Sequence, residues 1–282
     1  MTATLTEPAR ISVRDRIPTR RHYLMCPPEH FAVTYAINPW MDVEAGADAA
    51  LALRQWNELR AIYTELGHQV ELISPEPGLP DMVFAANGGL VVDGRAYGAR
   101  FAHPERRGEG PAYLDWFTGA GLRSVHEPVH VNEGEGDFLV VGDVILAGTG
   151  FRTDRGAHAE VSALFRLPVV SLDLIDPRYY HLDTALTVLD EHTIAYYPGA
   201  FSTASRALLA RLYPDAILAG AQDAAVLGLN AVSDGYNVVV TKHASQFAED
   251  LRARGFNPIG VDLSELLKAG GGAKCCTLEL RP

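Results

Sequence analysis

A repeated pattern narrows the folds open to this chain more than any single motif does. Four stretches, "FAANGGLVVDGRAYGARF", "EGEGDFLVVGDVILAGTGF", "HLDTALTVLDEHTIAYYPGAF" and "GLNAVSDGYNVVVTKHA", carry the same succession of residue types. Each opens on polar or small residues, runs through an apolar strand, turns, and returns through a second apolar strand. The turns fall at Asp93-Gly94, Gly142-Asp143, Asp190-Glu191 and Asp234-Gly235. Pairs of this kind accept the positive φ that tight hairpins require. They recur about every 45 to 50 residues, a period typical of units that pack side by side.

Between the hairpins lie helical patterns: "ADAALALRQWNELRAIYTELG", "GPAYLDWFTGAG", "RGAHAEVSALFR", "STASRALLARLYP" and "HASQFAEDLRARG". In the first, Leu51, Leu53, Trp56, Leu59 and Ile62 recur near the 3.6-residue period, and Gly67 stands where a helix would end. Each pattern leads into a short apolar stretch: "VELIS", "RSVHEP", "VVSLD", "AILAG" and "PIGVDL". The unit is therefore hairpin, helix, strand, used about five times, with "HYLM" and "CCTLELRP" as its first and last strands. Units of this kind suit a closed ring in which the two ends of the chain complete one unit. No Pro- or Ser-rich linker interrupts 21–282, which reads as a single domain. Residues 1–20 read as a flexible arm without the apolar segment of a signal peptide.

Composition removes several function classes. With 24 basic and 35 acidic side chains, the net charge of -11 disfavours a nucleic-acid or acidic-membrane partner. No apolar run reaches the roughly 18 residues of a bilayer span. Three cysteines are too few for a secreted disulfide scaffold and lack zinc-finger spacing. Cys26 reads as a small buried hydrophobe. Reduced thiols point to the cytoplasm; a homo-oligomer is left open.

Polar residues recur where the repeated stretches begin. His181 and Asp183 in "HLD" are two apart, so on a strand they would share a face. Glu133, Glu135 and Asp137 occupy the matching point of another unit, and Asp81 and Asn87 that of a third. At the chain's end, Cys275 and Cys276 follow Gly270, Gly271 and Gly272. On a strand only one thiol of this pair faces a pocket, where a base or cation would activate it. Arg106 and Arg152 are candidates for holding a carboxylate through a forked guanidinium. In a ring, such groups converge on the centre.

Taken in order, "LPDMVFAANGG", "NEGEGD", "GFRTDRG", "HLD" and the glycine-led cysteine of "GGGAKCC" resemble the arginine deiminase and dimethylargininase superfamily, whose members modify guanidino groups. The resemblance runs from about Arg21 to the end. It implies an α/β fold, a five-bladed α/β propeller with a central active site. It implies Cys275 as nucleophile, His181 as the catalytic histidine and Glu133 as the acidic partner. Glu135 competes for that last role because "EGEGD" departs from the usual acid-Gly-Gly-Asp spacing. Arg152 matches the arginine expected to hold a substrate α-carboxylate, with Arg106 a second contact. Asp81, Gly134 and Asp183 join the implied substrate contacts.

Where relatives carry a Glu-Asp pair, this chain has Ala86-Asn87. That feature, with Asn38 at a position similar to a substrate contact, is closest to the arginine dihydrolase branch, which takes arginine to ornithine, ammonia and carbon dioxide. The implied chemistry is covalent hydrolysis of a guanidino C–N bond, with no metal and no organic cofactor. Dimethylargininase, which releases dimethylamine, is the alternative activity; an amidinotransferase is a weaker one. A catalytically silent propeller that binds arginine is the alternative outside enzymes.

Overall fold

The computed structural model describes residues 16–282. The expected arm over 1–20 thus lies mainly outside the described residues. Its last part is anchored: Arg16 donates to Asp190 (2.5 Å) and to the Arg254 carbonyl (3.1 Å), and stacks on the Phe256 ring.

In chain order the strands are β1 (His22–Met25), β2 (Gln69–Leu72), β3 (Gly89–Val92), β4 (Arg95–Gly98), β5 (Ser124–His126), β6 (Phe138–Val141), β7 (Val144–Thr149) and β8 (Val169–Asp173). They continue as β9 (Leu186–Val188), β10 (Ile194–Tyr196), β11 (Ile217–Leu218), β12 (Val232–Ser233), β13 (Asn237–Thr241), β14 (Asn257–Val261) and β15 (Leu278–Glu279). The helices are α1 (Ala49–Glu65), α2 (Glu109–Gly119), α3 (Arg155–Phe165), α4 (Leu182–Ala185), α5 (Thr203–Leu212), α6 (Ala221–Ala224), α7 (Ser245–Ala253) and α8 (Ser264–Leu267).

The strands form five three-stranded sheets of one design. In β3-β4-β5, β6-β7-β8, β9-β10-β11 and β12-β13-β14, an antiparallel hairpin is followed by a helical crossover to a parallel third strand. The fifth sheet has the order β15-β1-β2, with Tyr23 opposite Glu279 and Leu24 opposite Leu278. The last strand of the chain therefore takes the place that the first hairpin strand holds elsewhere. A terminal segment that would otherwise fray is held by a sheet.

Local chemistry explains the regularity. Asp93 and Gly94 both have positive φ (54° and 65°), as a tight hairpin of this type demands. The Asp190-Glu191 turn is different from expectation: neither residue has positive φ, and the Asp190 carboxylate instead accepts from His192 N and Thr193 N, holding a longer loop. On α1, Asp48 caps Leu51 N, and Gly67 (φ 84°) follows the last turn. Its buried face is Ala52, Gln55, Trp56, Leu59 and Tyr63, which keeps Trp56 and Leu59 of the expected stripe but leaves Leu53 38% exposed. Burying side chains of this size stabilises the helix by about 1.5–3 kcal/mol each.

One feature of every unit was not anticipated. Most of the polar positions expected at strand starts lie instead in or at the ends of a single helical turn just before the first strand, Asp81 falling in the preceding turn Pro80–Val83. These turns are Ala85–Gly88 before β3, Gly134–Gly136 before β6, and α4 before β9; residues 225–229 and 273–276 turn likewise before β12 and β15. Alternation along a strand is therefore not what separates Cys275 from Cys276, nor what unites His181 with Asp183. The turn does both.

Candidate active site

Glu133 opens the turn before β6 and is fully buried. Its Oε2 accepts from Arg152 Nη1 (2.9 Å) and from His181 Nε2 (2.8 Å). Burial alone would push this carboxyl up, but the Arg152 guanidinium and His181 outweigh it and hold Glu133 well below the usual carboxylate range. A carboxylate can only accept, so His181 Nε2 carries the hydrogen. The other ring nitrogen, Nδ1, is buried and has no protein partner. It is the atom left to gain or lose a proton. Glu135, the competing acid, turns away: it accepts from Lys274 Nζ (2.8 Å), Glu279 N (3.0 Å) and Arg281.

Cys275 lies in the turn before β15. Its Sγ–H donates to Asp183 Oδ2 (3.3 Å), and the Cys275 carbonyl accepts from Ala86 N (3.0 Å), which brings the thiol turn beside Asn87. Burial, then the nearby Asp183 carboxylate, pushes the Cys275 thiol up. Burial also raises the Asp183 carboxyl to about 7, with the Lys274 charge opposing. Cys276 packs into the core with Val33, Val83 and Tyr63 around it.

Asn87 and Asp81 flank the same region. Asn87 Oδ1 accepts from Arg106 Nη1 (2.8 Å); Arg106 can only donate, so the amide presents Nδ2 inward. A Cβ on Gly136 would stand 2.4 Å from that Nδ2 and 3.2 Å from the His181 ring, so glycine here lets amide and imidazole crowd one point. Asp81 Oδ2 accepts from Tyr35 (3.0 Å) while Oδ1 is unpartnered.

Three expected substrate contacts are committed to the protein itself. Arg106 donates to Glu109 twice (2.8 Å each), to Asn87 and to the Asp81 carbonyl, which uses nearly its whole fork. It orients Asn87 rather than offering a free site for a carboxylate. Asn38 Nδ2 donates to Tyr180 Oη (3.3 Å) and the Ala269 carbonyl (3.1 Å), tying the 27–48 segment to the glycine loop. Gly134 (φ 53°) sits against the Gly89 backbone, where a Cβ would fall 2.5 Å from its N and O. Arg152 differs, since it donates only to Glu133 and the Ile37 carbonyl (2.9 Å) while stacking on Tyr180. It keeps N–H groups to spare.

Among the described residues, eight buried side-chain polar atoms have no partner, and four of them are Asp81 Oδ1, Asn87 Nδ2, His181 Nδ1 and Asp183 Oδ1. Unpartnered buried groups are costly and rare, so these four residues are candidates for contacting a ligand. A cavity of about 190 Å3 lined by Arg21, Thr187, Lys274 and Arg281 contains none of them. No cluster of three or more His, Cys, Asp or Glu among the described residues is arranged to hold a metal ion.

Sequence reasoning missed Asn230. It is buried just before β12, at the same point of the fourth repeated stretch that yields polar groups in the others. That correspondence was the available signal.

Comparison with known proteins now bears on the site. A family model described as N,N dimethylarginine dimethylhydrolase, eukaryotic, matches residues 28–282. The chain belongs to this family. It is 59% identical over 280 residues to N(G),N(G)-dimethylarginine dimethylaminohydrolase of Mycobacterium tuberculosis, covering 99% of this chain and 91% of that protein. It is 39% identical over 268 residues to the bifunctional arginine dihydrolase/ornithine cyclodeaminase AgrE of Nostoc sp., covering 93% of this chain but 38% of that one. Among solved structures, the substrate-bound N-terminal domain of a cysteine-to-serine variant of ArgZ, a cyanobacterial arginine dihydrolase, superimposes with a TM-score of 0.89. That match has 37% identity and covers 93% of this chain and 98% of the other.

Proposed function

We propose that the five units form a propeller around a thiol hydrolase site, and that its substrate is dimethylarginine. The observation that carries the chemistry is the contact of Cys275 Sγ with the Asp183 carboxyl, together with unpartnered buried atoms on Asp183 and on His181, two residues before it in the chain. The chain is a hydrolase of guanidino amidines. Asp183 and Asp81 hold the planar cation by charge-assisted hydrogen bonds through their free oxygens. Arg152, with N–H groups to spare, takes the α-carboxylate.

The Cys275 thiolate attacks the central guanidino carbon, forming an S–C bond. As the C–N bond breaks, His181 Nδ1–H protonates the departing amine, and Glu133 stabilises the imidazolium at Nε2 before that transfer. Nδ1 then takes a proton from water, whose oxygen adds to the same carbon. The S–C bond breaks, the thiolate returns, the hydroxyl proton passes through solvent to the released amine as the carbonyl forms, and the ureido product leaves with His181 protonated for the next turn.

The relatives shift the substrate away from the reading favoured by sequence. A dimethylarginine hydrolase matches at 59% identity, whereas the bifunctional dihydrolase relative matches at 39%. The dihydrolase reading keeps one specific support: Asn87 presents a donor, which suits the oxygen of a neutral ureido group better than another cation. Product analysis with dimethylarginine and arginine offered separately decides the matter. Dimethylamine with citrulline is expected; ornithine from arginine selects the dihydrolase, and no product from either removes the enzymatic reading.

A further inference from the structure

The Asn230 amide touches the thiol, the thiol's backbone and the turn that carries Asp183. Its Oδ1 accepts from Cys275 N and Gly272 N (3.0 Å each). Its Nδ2 donates to the Asp183 carbonyl (3.0 Å) and to Cys275 Sγ (3.1 Å). The orientation of the amide is fixed twice over, because a flipped amide would set NH2 against two backbone N–H groups. One residue thus ties the turn before β12 to the turns before β9 and β15.

We infer that Asn230 is a further catalytic residue, whose Nδ2–H holds Cys275 Sγ as the thiolate that attacks. The inference rests on the thiol mechanism proposed above. Two side chains lie within hydrogen-bond reach of the sulfur, and they respond oppositely to loss of its proton. Asp183 Oδ2 accepts from the thiol, so against a thiolate it becomes a like charge. Asn230 Nδ2 is a weak donor to a neutral thiol and a charge-assisted donor to a thiolate. Its contribution is therefore larger in the attacking form than in the resting one, which is what catalysis requires of a contact. Burial and the Asp183 carboxylate push the sulfur up, and the Gly272 backbone N–H, itself bonded to Asn230 Oδ1, is the other group that favours the thiolate. The other titratable groups coupled to it are Cys276 on its own turn and Tyr180 next to His181, while Lys274 acts on the Asp183 carboxylate.

The test uses the full chain and two variants. Asn230→Ser is neutral and too short to reach the sulfur; Asn230→Asp keeps the two backbone bonds but replaces both donors with an acceptor. Cys275 alkylation by iodoacetamide is followed against pH by peptide mass analysis, which separates it from Cys26 and Cys276. In Asn230→Ser the midpoint of alkylation moves up by about one pH unit, and in Asn230→Asp by more. With whichever guanidino substrate is turned over, kcat falls roughly 10- to 100-fold near neutral pH, KM changes less, and the deficit shrinks as pH rises. A merely structural role would lower kcat equally at every pH and leave the alkylation midpoint unmoved. That result in Asn230→Ser overturns the inference; if the serine variant fails to fold, the same result in Asn230→Asp does so. If neither substrate is turned over, the alkylation profile still decides, so the two readings fail separately.

Discussion

Glu133 and Glu135 stand two residues apart in one glycine-framed turn, both fully buried, yet they face different chemistry. Glu135 is saturated: Lys274, Arg281 and a backbone N–H surround its oxygens. Glu133 also has its charge matched, by Arg152, but its other partner is a histidine with one nitrogen left over. Cys275 and Cys276 share one core cluster, and they differ in that the Cys275 sulfur also meets the polar groups of Asp183 and Asn230. Burial does not distinguish the members of either pair. What distinguishes them is whether the surrounding hydrogen-bond network closes on itself or ends in atoms without partners.

The largest effect expected from this division is at Cys275. Cys275→Ser replaces the attacking sulfur with an oxygen that stays protonated at neutral pH, and kcat should fall by at least about 10⁴-fold. The unfolding midpoint should move little, since volume and the Asp183 contact are nearly kept. Turnover within tenfold of the parent protein would break the assignment of Cys275 to the open side.

Next come the two glutamates, exchanged for their amides. Glu135→Gln leaves Lys274 and Arg281 with an incompletely compensated buried charge, a change that typically costs about 3–5 kcal/mol of stability. Chemical denaturation should show that loss, while kcat of the folded fraction stays within about tenfold. Glu133→Gln should do the reverse in rate: kcat falls roughly 10²- to 10³-fold as the imidazolium loses its counter-charge. Were the two variants to show the same ratio of rate loss to stability loss, the contrast between saturated and open networks would fail.

Much of this arrangement was legible in the residues. The hairpin turns, the five helices and the pairing of the two chain ends follow from Asp-Gly pairs, 3.6-residue periods and the repeat itself. The contacts of Cys275 with Asp183 and of His181 with Glu133 also follow, because they join corresponding points of the repeated stretches. Two things did not. Pattern alone could not tell a strand start from a single helical turn, since four residues are too few for either period to show. Nor could it tell an arginine that keeps N–H groups to spare from one whose fork is taken up by neighbouring side chains. Arg106 is taken up by Glu109, three residues away on the adjoining turn, and only coordinates reveal that its remaining N–H groups go to Asn87 and the Asp81 carbonyl.

A pH profile sharpens the comparison at about a tenfold scale. Asp183 is lifted to about 7 by burial, whereas Glu133 is held low. As pH falls below about 7, Asp183 gains a proton and cannot pair with a guanidinium, so kcat/KM should drop about tenfold per unit. Glu133 stays ionised over that range and adds no limb. The raised carboxyl also makes the free native state bind more protons than the unfolded chain between about pH 4 and 7, so its contribution to stability declines as pH rises through that window. A cationic ligand favours the ionised form and offsets the decline. Its stabilising shift in Tm should therefore be larger near pH 8 than near pH 5, and equal shifts would remove Asp183 from the cation site.

The smallest effect is the one that tests whether adjacency in sequence carries any function. Cys276 shares its turn with Cys275, and burial pushes its thiol up as well. It belongs to the core cluster of Val33, Val83 and Tyr63, and the Asp183 carboxylate pushes its thiol further up rather than activating it. Cys276→Ser keeps the volume nearly constant but sets a more polar hydroxyl among apolar groups. The cost should be about 1–2 kcal/mol, read as a lower denaturation midpoint. Because the neighbouring backbone is held by Asn230 and the Ala86 N–H, kcat should remain within about twofold at temperatures where the protein stays folded. A change in the pH dependence of kcat would show that the second sulfur takes part in the proton chemistry, and that the line between closed and open networks does not run between these two residues.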